Sequence, residues 1–143
     1  FRHFADMESL YREISTEILQ LILPLLSTPF ASNAWRSRLA EAVERRAALY
    51  ESILPFHSAT TALRHQSPYL QENLLRMMEL QKASLRRILP PSVLDDAPTL
   101  AALNVLLSIN AWQQMRIEQA LDLHSAKQAM QLASKALTAN FAD

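Results

Sequence analysis

The chain contains no glycine among its 143 residues and no cysteine. At average usage about ten glycines would be expected, and glycine is the default wherever a backbone needs positive φ. Its absence disfavours tight β-hairpins, phosphate-cradling loops and dinucleotide-binding turns together. The lack of cysteine excludes disulfides and thiolate metal sites but leaves the compartment open. Charge of one sign is lacking as well: 14 basic residues balance 14 acidic ones, so no overall field recruits nucleic acid or an anionic membrane. The most apolar stretch, Ile18 to Leu26, is too short to span a bilayer and is interrupted by Gln20 and Pro24. There is no signal-peptide pattern, and a cytoplasmic location without membrane contact is expected. The first residue is Phe1 rather than methionine, so an upstream N-terminal portion is expected.

What is present is a helical protein. Half of the residues are hydrophobic, enough for one sizeable core, and the length suits a single domain spanning residues 1–143. Prolines at 24, 29, 55, 68, 90, 91 and 98 divide the chain, and the stretches between them carry apolar residues at three-to-four spacing. The reading is all-α, an antiparallel bundle of about six helices. Asp6 is expected to cap a first helix with Leu10, Ile14, Ile18 and Leu21 inward and an end at Pro24. Ser32 or Asn33 should cap a second, running from Trp35 to Pro55, with a short third over Phe56 to His65. Ser67-Pro68 is a strong start signal for a helix to about Leu89. Its inner face is expected to hold Leu70, Leu74, Met77, Met78, Gln81, Leu85 and Ile88. Pro90-Pro91 stops it, and Asp95-Asp96 place charge where the next helix dipole favours it. A fifth helix from Pro98 to about Leu121 is apolar nearly all round from Leu100 to Trp112. The last opens with Ser125-x-x-Gln128, a capping-box pattern, and runs to about Phe141.

The last two helices carry more apolar surface than one partner surface buries. Ala126, Ala129, Ala133 and Ala136, extended by Asn140, form a narrow ridge open to close helix approach. Such a ridge packs either inside one bundle or against a second subunit. The favoured expectation is a two-fold four-helix-bundle homodimer, with Trp112, Met115, Ala129, Ala133, Ala136 and Asn140 at the interface.

Polar residues interrupt faces expected to be buried: Glu17 on the first helix, Arg46 on the second, Asn73 and Gln81 on the fourth, and Asn104 with Ser108 on the fifth. Each needs a partner if buried. They either satisfy one another or furnish an apolar cavity for a small-molecule effector. The candidate effector-binding residues are Arg46, Tyr50, His57, Asn73, Met77, Gln81, Asn104 and Ser108, with Met77 supplying adaptable packing. Arg46 is the candidate anchor for an anionic or carbonyl-bearing group.

Catalytic chemistry finds no constellation. His57 and His65 share a segment without further ligands at metal spacing, and His124 precedes a helix start. No serine stands in a glycine-flanked turn, and Asp95-Asp96 do not face one another on a helix. Neither an enzyme, nor a metal, nor a cofactor is expected.

The first ten residues, Phe1-Arg2-His3-Phe4-Ala5-Asp6-Met7-Glu8-Ser9-Leu10, resemble the segment that ends the helix-turn-helix and begins the fourth helix of TetR-family transcriptional repressors. Phe1, His3, Phe4, Asp6 and Leu10 match that pattern. Phe1 stands where tyrosine is usual and Met7 where lysine is common, so both lack groups that contact DNA phosphates in the family. The layout agrees over the whole chain, with a tryptophan in the penultimate helix and a short capped junction before the last. The resemblance implies that residues 1–5 end an upstream DNA-binding domain, and that the chain is an effector-binding and dimerisation core. It implies that operator DNA is contacted only through that upstream head, and that the segment from Leu10 to Leu21 moves when effector binds. The alternative is a helical interaction module without a pocket.

Overall fold

The computed structural model describes residues 2–143, with side chains from Ala5 onward. The motif positions Phe1, His3 and Phe4 therefore lie outside the described side chains. Among the described residues there are seven α-helices and no strand: α1 (Arg2–Ser27), α2 (Trp35–Leu63), α3 (Pro68–Ile88), α4 (Pro91–Leu94), α5 (Ala97–Leu106), α6 (Ile109–Gln113) and α7 (Leu123–Thr138). A 3-10 turn, Arg64–Gln66, links α2 to α3, and a π turn, Gln114–Glu118, extends α6. The core gathers Val43, Tyr50, Leu85, Leu103, Trp112 and Met130 from α2, α3, α5, α6 and α7. No described helix is long and apolar enough to cross a membrane.

Two prolines fail to end their helices. Pro24 lies inside α1, which continues to Ser27, because the missing N–H removes one bond only a turn from the end. Pro55 lies inside α2. The expected separate helix over Phe56 to His65 is thus the second half of α2. Pro55 is exposed, while Tyr50, Ile53 and Leu54 before it and His57 and Thr60 after it are buried on one continuous face. Burial of several large side chains at about 1.5–3 kcal/mol each outweighs a penalty of about 3 kcal/mol for an interior proline.

The α1 face also differs from expectation. Asp6 falls within the helix rather than capping it. Ile22 is buried and Ile18 and Leu25 pack on the core, whereas Leu10 and Leu21 are 47% and 61% exposed and Glu17 points to solvent. The contacting stripe is 18–22–25, rotated from the one the apolar residues allowed, because leucines ring this helix and spacing alone does not choose among them.

Local cap chemistry is obeyed in some places and displaced in others. Ser67 Oγ accepts the Leu70 N–H at 3.3 Å, with Pro68 in the first turn of α3. Asp96 caps α5 through the Thr99 N–H at 3.2 Å. The residue before α2 is Ala34, without a side-chain cap, and Ser32 Oγ accepts the Ala34 N–H instead. Asp122, not Ser125, caps α7, accepting the Ser125 N–H at 2.7 Å. A carboxylate is a stronger acceptor there than a hydroxyl. Met78, expected inward on α3, is largely exposed.

The expected helix from Pro98 to Leu121 is broken at Leu107–Ser108. Ser108 Oγ accepts the Ala111 N–H at 3.2 Å and so caps a new helix, α6. The Leu107 carbonyl at the end of α5 accepts from Arg46 Nη1 at 2.9 Å and from the Tyr50 hydroxyl at 2.8 Å. Two donors from α2 thus complete a helix end that the local sequence leaves open.

Without glycine, one turn needs a strained residue. Ala120 has φ of 53°, between the π turn and α7. The Leu121 N–H reaches back to the Met115 carbonyl at 2.9 Å, closing this helix end, where glycine is the usual choice. Left-handed alanine costs about 1–2 kcal/mol, partly offset by the lower entropy of the unfolded chain. Ala120→Gly is expected to raise stability by about 1 kcal/mol, or roughly 3 °C in Tm for this size. Calorimetry checks it, and an unchanged or lowered Tm contradicts it.

Candidate functional site

A cavity of about 650 Å³ opens between α1, the second half of α2, α3 and the α5–α6 junction. It lies within the usual ligand-pocket range. Its walls are set by the breaks just described. Continuation of α2 past Pro55 brings Phe56, His57, Thr60 and Thr61 to the wall, and the stop at Leu107 brings Ser108, Ile109 and Asn110 in beside them. Asn73 and Met77 of α3 and Ile18, Leu19 and Ile22 of α1 complete the lining.

Six of the eight candidate effector residues line this cavity: His57, Asn73, Met77, Gln81, Asn104 and Ser108. Arg46 and Tyr50 do not. Arg46 is buried, with Nη2 donating to the Gln81 carbonyl at 2.8 Å and to Ser84 Oγ at 3.0 Å besides the bond of Nη1 to Leu107. Its guanidinium is held where α5 packs against α2, outside the cavity in which an anchor was expected. Tyr50 is fully buried beside it, and burial pushes its phenol up, opposed by the neighbouring guanidinium.

The cavity's polar groups differ in what they have left to offer. Ser108 spends its hydroxyl on the Val105 carbonyl at 2.7 Å and on the α6 cap. His57 Nε2 lies 3.0 Å from Asn110 Oδ1 and 3.5 Å from the Thr61 hydroxyl. Burial lowers the His57 pKa, with the Asn110 bond opposing it, so the imidazole is neutral at pH 7. The side chains of Asn73, Gln81 and Asn104 make no hydrogen bond among the described residues and are half-buried. Ser15 Oγ, on the α1 wall, is buried without a partner.

Sequence reasoning missed Asn110, Ser15, Arg64 and Arg76. Arg76 was legible, since it follows Tyr69 and Asn73 at helical spacing and all three line the cavity. Asn110 was not, because it faces His57 only once the fifth helix is broken. Nor does any group of three His, Asp or Glu residues gather to hold a metal among the described residues.

At the expected subunit surface the residues divide. Trp112 is buried within the chain, its indole N–H donating to Glu51 Oε2 at 2.9 Å, and so lies behind the surface rather than on it. Met115 packs on the core, and Ala129 and Ala133 are half-buried. Ala136 and Asn140 are exposed, next to Leu132 at 70% exposure. The face of α7 turned inward is instead Ala126, Met130, Ser134 and Thr138.

Comparison with protein-family models, with curated proteins and with solved structures gave no match.

Proposed function

We propose that the chain binds a small molecule in this cavity and serves as the effector-responsive, dimerising core of a TetR-like transcriptional repressor in the cytoplasm. The observation that carries the reading is that α1, which begins in the TetR-like segment, is itself a wall of the cavity. A ligand pressing on Ile18, Leu19 and Ile22 acts on the helix that would lead from a DNA-binding head. Among the described side chains of α1 only Ile22 is fully buried, while Leu10, Leu19, Leu21, Leu23 and Leu26 are exposed. Few buried contacts give an element low local stability, so a modest differential affinity is enough to shift it. Pairing of two chains would use the exposed flank of α7 with Ala136, Asn140 and Leu132, and would leave the cavity free.

The exposed leucines of α1 also favour a second reading, a helical module that binds a protein and needs no small ligand. A thermal-shift screen of the chain against a small-molecule library separates the two, with a Met77→Trp variant that fills the cavity as control. A ligand at a hundred times its Kd adds about 2.7 kcal/mol, expected as roughly 5–10 °C for this size. The shift is expected in the native chain and absent in Met77→Trp. A screen without stabilisers, or with stabilisers acting equally on both chains, rejects the ligand-binding reading.

A further inference from the structure

The chain as a whole is electrically balanced, but the cavity wall is not. Among the residues that line it there is no aspartate or glutamate, while Arg64, Arg76 and Lys82 all contribute. Lys82 is engaged by Glu79 at 3.1 Å. Arg64 and Arg76 are exposed and make no ion pair among the described residues, which places two guanidinium groups without a carboxylate partner at the rim, Arg64 donating only a long bond to His65 Nε2 at 3.5 Å. Arg12 adds charge on the α1 side, its guanidinium 4.4 Å above the Tyr69 ring that lines the cavity, and is shared only with Glu8 at 3.9 Å.

The interior has the opposite character. Ile22 and Ile53 are buried there, with Phe56, Met77 and Ile109 beside them. Its polar groups are amides, hydroxyls and the His57–Asn110 pair, and the imidazole is held neutral by burial. A positive rim over an apolar, uncharged interior sorts ligands by sign and shape together: charge at one end, hydrocarbon at the other.

We propose that the cavity selects amphipathic anions, an apolar body seated among Ile22, Ile53 and Met77 with an acid headgroup at Arg64 and Arg76. This rests on the reading of the cavity as a ligand site and adds the class of ligand. Arginine suits the task because its planar fork binds a carboxylate or phosphate oxygen pair. At an exposed rim each such contact is individually modest and screened by salt.

The test is calorimetric titration of the full chain with three probes of equal tail length, decanoate, decan-1-ol and decylammonium, each below its micelle concentration. Decanoate is expected to bind roughly tenfold more tightly than decanol, the gain two rim contacts supply, with decylammonium weakest. Raising the salt should erase most of that advantage and leave decanol unchanged. The double variant Arg64→Glu/Arg76→Glu alters exposed positions only and should melt like the native chain. It is expected to reverse the order, preferring decylammonium over decanoate. Equal affinities for decanoate and decanol, unmoved by the double variant, overturn charge selection while the cavity remains a ligand site. Absence of binding by all three probes overturns it too, and a library compound that stabilises the native chain but not Met77→Trp then shows that only the ligand class was wrong.

Discussion

Arg46→Ala is expected to cost about 2–4 kcal/mol of unfolding free energy. The side chain is buried, and its removal leaves a void in the core whose cost alone falls in that range. It also strips donors from Leu107 and Ser84. Among the described residues no carboxylate pairs with this cation. What stabilises it is the carbonyl at the C-terminal end of α5, where the helix dipole is negative, together with the Gln81 carbonyl. Arg46→Met keeps most of the volume and should cost less, about 1–2 kcal/mol. Tyr50→Phe, which removes the second donor to Leu107, should cost about 1 kcal/mol. Urea denaturation at unchanged m-value reads all three. Against a typical total of about 5–15 kcal/mol, the alanine variant is a substantial loss. If it melts within about 0.5 kcal/mol of the native chain, within the ordinary spread of surface changes, the clamp contributes nothing. The methionine variant carries a second readout: ligand affinity should change little, because Arg46 lies outside the cavity.

The second large effect is expected at Glu51. Its carboxylate accepts two bonds from Arg116, at 3.0 and 2.6 Å, and one from the Trp112 indole at 2.9 Å. Arg116 also donates to the Leu121 carbonyl at 2.6 Å, so this group ties α2 to the π turn and to the start of α7. Glu51→Ala leaves the buried Trp112 N–H without an acceptor, which alone costs about 1–3 kcal/mol. Glu51→Gln keeps an acceptor for the indole and should cost less. The order Ala worse than Gln is the diagnostic, and equal losses would mean that the indole bond contributes nothing.

The pH dependence follows from the direction of the shift. The bond from Arg116 is the largest influence holding the Glu51 carboxyl below its ordinary value, Trp112 helps, and burial opposes them. A group whose pKa is lower folded than unfolded contributes stability that is complete above its unfolded value, about 4.3. That contribution is lost as pH falls through the lowered folded value. The gap between native chain and Glu51→Gln should therefore be flat from pH 7 to about pH 5 and narrow below about pH 4. A gap that narrows on the alkaline side contradicts the assignment. His57 has the same sign in a higher window. Burial lowers its pKa from 6.5, so its contribution begins to fade as pH drops below that value. Glu44, held down chiefly by its bond from Lys127, adds a further contribution in the acid range.

Much of this architecture is readable from residues close together in the chain. The missing glycines and the three-to-four spacing of apolar residues specify helices and exclude hairpins. Ser67-Pro68 and Asp96 mark two helix starts where the structure has them. Six cavity residues were legible as polar or flexible side chains on otherwise apolar helix faces. Arg46 was legible as an oddity but not in its role, because its partner carbonyl at Leu107 is 61 residues away. Sequence spacing puts Trp112 on an outer face for the same reason, since its acceptor Glu51 is equally distant in sequence.

What the amino-acid order determined by itself was helix content, the firm caps and the polar residues set on apolar faces. What only the tertiary structure decided was where helices run on through proline, where the fifth one breaks, and hence that a cavity exists between them. The division is physical. Caps and propensities act within a turn and are worth about 1 kcal/mol or less. Burial of a continuous face across Pro55, or capture of the Leu107 carbonyl by Arg46 and Tyr50, is worth several and depends on residues that meet only after the chain has folded.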